Sequence, residues 1–119
     1  MSDWNFRELR VWQQSMDFCE MVYAITKQWP ADERYGLMSQ TRRAAVSICA
    51  NIAEGQGRGN DKEFAYFLRI SHGSLCEVET LVELSTRLKY STDEQFETVK
   101  TTAEVISKGI KALRHRIQS

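Results

Sequence analysis

Two groups of residues in this chain have the types and spacing to do chemistry. The first is Gly55-Gln56-Gly57-Arg58-Gly59, followed by Asn60 and Lys62. Glycines beside a cation can cradle a phosphate on exposed backbone N–H groups. A nucleotide-binding loop, however, needs a strand before it and Gly-Lys-Ser/Thr after it. Here an alanine-rich helical pattern precedes the glycines and no Lys-Ser/Thr pair follows. The run reads better as a helix end: Gly55 as the left-handed residue past one helix, and Asn60 with Glu63 capping the next. The alternative is an anion or RNA phosphate held by Arg58 and Lys62. The second group is polar: Arg43, Ser47, Asn51 and Glu54 recur at steps of four, four and three, and Ser71, Ser74 and Glu77 form a similar stripe further on. A carboxylate among packed helices needs a paired, hydrogen-bonded partner, and arginine's planar fork suits that role. The expectation is a structural polar network of Arg43, Ser47, Asn51, Glu54, Ser74 and Glu77, with Arg43, Asn51 and Glu77 fixing the register. A solvated groove at a helix edge is the alternative.

Catalytic and metal constellations do not assemble from the sequence. A di-iron bundle requires Glu-x-x-His pairs, and neither His72 nor His115 has an acid three residues before it. Cys19, Cys49 and Cys76 lie far apart without metal-ligand spacing. They read as reduced cysteines of a cytoplasmic protein. The expectation is therefore a protein that is not an enzyme, with no cofactor, no metal and no catalytic residue.

Lysine plus arginine equals aspartate plus glutamate at 16 each, so no overall basic field drives the chain onto nucleic acid or anionic lipid. The charge is unevenly placed. Residues 73–99 carry Glu77, Glu79, Glu83, Asp93, Glu94 and Glu97 against Arg87 and Lys89, whereas residues 100–119 carry Lys100, Lys108, Lys111, Arg114 and Arg116 against Glu104. No apolar run approaches the roughly 18 residues of a membrane span, and the N-terminus lacks an apolar signal core.

The elements that would position these residues are helices. One proline and six glycines in 119 residues argue for long helices over a many-turned β fold. Val11, Ser15, Phe18, Val22, Ile25 and Trp29 recur in steps of four and three, which predicts a helix over 7–28 ended by Trp29-Pro30. Leu37, Thr41, Ala44, Ala45, Ile48, Cys49 and Ile52 predict a second over 34–54, whose small residues invite close neighbours. Phe64, Leu68, Ser71, Leu75, Val78, Val82 and Ser85 predict a third over 61–88. Phe96, Val99, Ala103, Ile106, Ile110, Leu113 and Ile117 predict a fourth over 92–117, with Ser91 and Glu94 as its capping box. Short connections then imply an all-α, antiparallel up-down-up-down four-helix bundle occupying residues 1–119 as one domain. The aromatics Trp4, Phe6, Trp12, Tyr23, Tyr35 and Tyr66 exceed what one small bundle can bury, which favours subunit contacts.

The runs Phe6-Arg7-Glu8-Leu9, Trp29-Pro30, Gly36-Leu37, Arg42-Arg43-Ala44, Asn51-Ile52-Ala53-Glu54-Gly55, Glu63-Phe64 and Gly73-Ser74-Leu75 together resemble the four-helix-bundle family of 23S rRNA intervening-sequence proteins. Cys49 stands where that family commonly has proline. The resemblance implies a ring-like homopentamer. It also implies similarity to the accessory protein of diversity-generating retroelements, a pentameric basic barrel that binds nucleic acid and a reverse transcriptase. No catalytic residue comes with it. The expected partners are further copies of the chain and RNA or a nucleic-acid-processing protein, with no membrane. Arg42, Arg58, Lys62 and Arg69 would form the nucleic-acid patch, repeated around the ring. A protein-interaction scaffold without nucleic-acid contact is the second reading.

Overall fold

The computed structural model describes residues 5–118, so Trp4 lies outside them. Among these residues there are four long helices and no strand: α1, Arg10–Thr26; α2, Leu37–Gly57; α3, Asp61–Arg87; and α4, Asp93–Gln118. Two short 3-10 turns, Phe6–Glu8 and Ala31–Glu33, precede α1 and α2. The helices form a four-sided arrangement in which α1 touches α2 and α4, and α3 touches α2 and α4. Side-chain pairs fix the directions. On α2 and α3, Gln40 meets Glu77, Ser47 meets Ser74, and Gly55 meets Phe67, so one number rises as the other falls. His72 with Ser107, and Ser85 with Ser91 just before α4, give the same relation for α3 and the chain that returns as α4.

The apolar periodicities close on a single core. Phe18, Val22, Ile48, Ile52, Leu68, Leu75, Val78, Val82, Val99, Ile106 and Ile110 are fully enclosed, each contributing on the order of 1.5–3 kcal/mol. Buried hydroxyls are satisfied locally, as where Ser15 Oγ donates to the Val11 carbonyl at 2.7 Å. Ser71 instead reaches across to α2 and donates to the Ile48 carbonyl at 2.7 Å.

Helix ends depart from expectation in three places. Gly55 is not a left-handed terminator. It is buried inside α2, which runs on to Gly57, and the left-handed residue is Gly59, at φ 83°. A Cβ on Gly55 would stand 2.7 Å from Phe67 Cβ, so this glycine exists to let α2 and α3 touch. The cap of α4 is Thr92 with Gln95, each side chain accepting the other's backbone N–H, at 3.0 and 2.9 Å. Ser91 is buried instead, accepting from the Trp29 indole and from Ser85 Oγ, both at 2.9 Å. The Asn5–Glu8 box caps the first 3-10 turn, and α1 begins only after Leu9. Asn60 caps α3 as expected, its Oδ1 accepting Glu63 N–H at 2.9 Å.

Candidate nucleic-acid interface

The segment between α1 and α2 is held rigidly by its own side chains. Trp29 is buried and donates to Ser91 in the connection between α3 and α4. Glu33 turns its carboxylate back over the next residues. One oxygen accepts Leu37 N–H at 3.0 Å, capping α2, and the other accepts the Tyr90 hydroxyl at 3.1 Å. That hydrogen bond, helped by burial and by the negative charge itself, pushes the Tyr90 phenol up from its ordinary range. A Cβ on Gly36 would stand 2.9 Å from the Glu33 oxygen that accepts Leu37 N–H, so a larger residue here would push the carboxylate aside. Arg34 and Tyr35 are displayed on this pinned turn.

Beside it opens a cavity of about 600 Å³, lined by Tyr23, Lys27, Trp29, Arg34, Tyr35 and Arg42 among others. A second, of about 490 Å³, lies between α2 and α3 and shares Tyr35, Ser39 and Arg43 with the first. The two make one groove around Tyr35. Its larger part carries four cations, Lys27, Arg34, Arg42 and Arg43, and no carboxylate lines it. In a chain of zero formal charge, this is a locally positive, concave surface where field lines concentrate. Arg42 forms part of the wall. Its Nε donates to Thr26 Oγ1 at 2.8 Å, a terminal nitrogen donates to the Tyr23 carbonyl at 3.2 Å, and the guanidinium lies 4.5 Å from the Tyr23 ring centre. It thereby satisfies the C-terminal end of α1.

The expected polar network forms in part. Ser47 and Ser74 share a 2.8 Å hydrogen bond, and Asn51 Nδ2 donates to the Ser47 carbonyl at 2.8 Å and to its hydroxyl at 2.9 Å. Arg43 and Glu77 line the same cavity without an ion pair among the described residues. Gln40, one turn before Arg43, donates to Glu77 at 3.4 Å instead. Glu54 faces the α2–α3 turn and pairs with Arg58 at 2.7 Å. Small hydroxyls therefore hold the α2–α3 seam, and the carboxylates stay near solvent.

Within one subunit, Arg42 stands apart from Arg58 among the four cations expected to form a patch. Arg42 and Arg58 are 16 residues apart on α2, roughly 24 Å at the helical rise. Arg58 is engaged by Glu54 and Glu63 and lies 4.9 Å from the Phe67 ring centre. Arg69 sits over Tyr66 at 5.7 Å, and Lys62 is exposed in the first turn of α3. Sequence reasoning missed Lys27, Arg34 and Tyr35 as one constellation. The density of aromatic and basic residues around Trp29-Pro30 and Arg34-Tyr35 was the available signal. Elsewhere, His72 Nε2 lies 2.9 Å from Ser107 Oγ. Burial, and then Lys111 and Arg114, hold this imidazole below its usual pKa. Burial together with neighbouring Cys49 raises the Cys19 thiol to about 11, which makes it a poor nucleophile. Among the described residues no three His, Cys, Asp or Glu side chains converge to hold a metal, and no helix is long and apolar enough to cross a membrane.

Comparison with known proteins agrees with this architecture. No curated protein matches the chain. A solved crystal structure does: a protein of unknown function from the S23 ribosomal protein family of Bacteroides thetaiotaomicron VPI-5482. It is 25% identical, with a TM-score of 0.81 over 88% of this chain and 95% of that one. The family model described as 23S rRNA-intervening sequence protein matches residues 7–112. With that match covering α1 to α3 and most of α4, the chain belongs to the 23S rRNA-intervening sequence protein family.

Proposed function

We propose that this protein is a non-enzymatic, homo-oligomeric accessory factor of RNA or of a nucleoprotein, and that RNA contacts it through the Tyr35 groove. The observation that carries the reading is the clustering of Lys27, Arg34, Arg42 and Arg43 with aromatic side chains in the larger part of the groove, which no carboxylate lines. Cations beside aromatic faces are the combination that tracks a phosphate backbone and holds bases. One such groove is a weak site. Copies arranged in a ring, five in the expected assembly, would multiply it by avidity. Assembly is supported by apolar side chains left open on α2 and α3, among them Val46, Tyr66 and Leu84, and by Leu88 at the end of α3. Gly73, midway along α3, has open space around its Cβ position.

The test is RNA binding by fluorescence anisotropy across a salt series, with light scattering on the same samples. Phosphate contacts predict affinity that falls steeply and linearly on a log–log plot against salt. The oligomer predicts a mass that is a multiple of 13.8 kDa, fivefold for the expected ring. Absence of binding at low salt would remove the RNA reading, and a 13.8 kDa particle would remove the assembly. A scaffold without nucleic acid is the second reading. It is favoured by the intramolecular engagement of Arg42, Arg58 and Arg69.

A further inference from the structure

Within the RNA reading just given, on which this inference rests, the geometry points to a more specific ligand. We infer that the groove takes a single unpaired nucleotide per subunit, its base stacked on Tyr35 and its flanking phosphates held by Lys27, Arg34 and Arg43.

Three aromatic rings border the groove, and only one is available. Trp29 is 4% exposed and its indole is committed to Ser91. The Tyr23 ring already carries the Arg42 guanidinium. Tyr35 is 89% exposed and makes no ring contact or side-chain hydrogen bond among the described residues. It is not displayed on a loose loop. Gly36 N–H donates to the Glu33 carbonyl at 3.0 Å, Gln40 N–H to the Gly36 carbonyl at 3.0 Å, and Glu33 is tied to both Leu37 and Tyr90. A ring offered from a pinned backbone loses little freedom on binding, which favours a stacking role.

The cations complete the site. Arg34 adjoins Tyr35 in the chain, Lys27 lines the same cavity, and Arg43 is shared by the two cavities. None of the three makes a side-chain hydrogen bond or ion pair among the described residues, in contrast to Arg42. Free cations beside a free aromatic face match the alternation of phosphate and base in a single strand. A duplex hides its base faces in its own stack, so it can use the cations and not Tyr35. The cavity of about 600 Å³ falls in the range of small-ligand sites, roughly 300–1,000 Å³.

The experiment compares a labelled single-stranded oligoribonucleotide, the duplex formed with its complement, and a free mononucleotide, using the parent protein and Tyr35→Ala and Tyr35→Phe. The single strand is expected to bind more tightly than the duplex, and the mononucleotide weakly. Tyr35→Ala should weaken the single strand about 5- to 150-fold, the effect of one lost base stack, and leave the duplex unchanged. Tyr35→Phe should restore single-strand binding. Equal affinity for strand and duplex, or a Tyr35→Ala effect that is absent or the same on both, overturns the inference while RNA binding itself stands. A mononucleotide that binds as tightly as the strand also overturns it, in favour of a free-nucleotide site. If neither RNA binds at low salt, the broader reading fails as well. Tyr35 supports no packing, and unchanged circular dichroism of the variants verifies that the fold is intact.

Discussion

Gly55→Ala is the most direct test of how this bundle is held together. The added Cβ would lie 2.7 Å from Phe67 Cβ, 3.1 Å from Phe64 Cδ1 and 3.4 Å from the Phe64 carbonyl. Phe67 Cβ is bonded directly to the α3 backbone and cannot swing aside, so the helices themselves must separate by several tenths of an ångström. That movement would also stretch the Ser47–Ser74 and Ser71–Ile48 hydrogen bonds along the same seam. Overpacking of a core contact costs about 1–3 kcal/mol, and the strained hydrogen bonds place this site toward the upper end. Replacing a helical glycine by alanine returns about 1 kcal/mol, leaving a net loss of roughly 1–2 kcal/mol. Gly73→Ala provides the control. It is the same exchange in mid-helix with nothing within 4 Å of the new Cβ, so it should gain about 0.5–1 kcal/mol. Urea unfolding followed by circular dichroism at low protein concentration measures both, with equal m-values confirming a common denatured state. In thermal unfolding the variants should move in opposite directions, by roughly 3–6 °C per kcal/mol for a chain of this size. A Gly55→Ala protein as stable as its parent would refute the close approach of α2 and α3. A loss in Gly73→Ala that appears only at concentrations where the protein assembles would place a second copy against α3.

Three further outcomes follow from single contacts. Lys89 takes φ 70° past the end of α3, where Lys89 N–H donates to the Thr86 carbonyl and Tyr90 N–H to the Ser85 carbonyl. Lys89→Gly should therefore stabilise the protein by about 0.5–1 kcal/mol in thermal unfolding, and a loss would contradict the left-handed backbone. Ser91→Ala removes the acceptor of the buried Trp29 indole N–H and should cost about 1–3 kcal/mol in denaturant unfolding. A change under ~0.5 kcal/mol, the size of an ordinary surface substitution, would mean the indole has another partner. His72 has a folded pKa below its ordinary 6.5, so the unfolded chain takes up its proton first. Above pH 6.5 the residue is neutral in both states and adds no pH dependence. As pH falls from there to the folded pKa, stability declines, and lower still the effect levels off. His72→Gln should flatten that part of the acid limb when urea midpoints are compared across pH. An unchanged slope would show that another group carries it.

Much of the fold was legible because helix formation follows from local periodicity. The stripes from Val11 to Trp29 and from Phe64 to Ser85 have one geometry that buries them, and all but the ends of the four helices lie where those stripes run. Ends were less legible. Thr92 and Gln95 offer the same chemistry as Ser91 and Glu94 one position later, and only the pull of Trp29 on Ser91 decides between them. Gly55 reads in sequence as a left-handed terminator, whereas in the structure it is a point of helix contact. Phe67, twelve residues later, settles which applies.

The candidate site was less legible still. Arg43 and Glu77 have opposite charges and suitable stripes, yet pairing depends on the axial offset of α2 against α3, and that offset gives Glu77 to Gln40. The groove joins Lys27 at the end of α1, Arg34 and Tyr35 on the connecting turn, and Arg43 on α2, residues with no common period. By itself the amino-acid order determined helix number, the buried faces and the family pattern, because those arise from contacts between near neighbours in the chain. Which glycine is a contact, which arginine is free and which tyrosine stands open were decided by the tertiary structure, because each depends on the distance between side chains that only packing brings together.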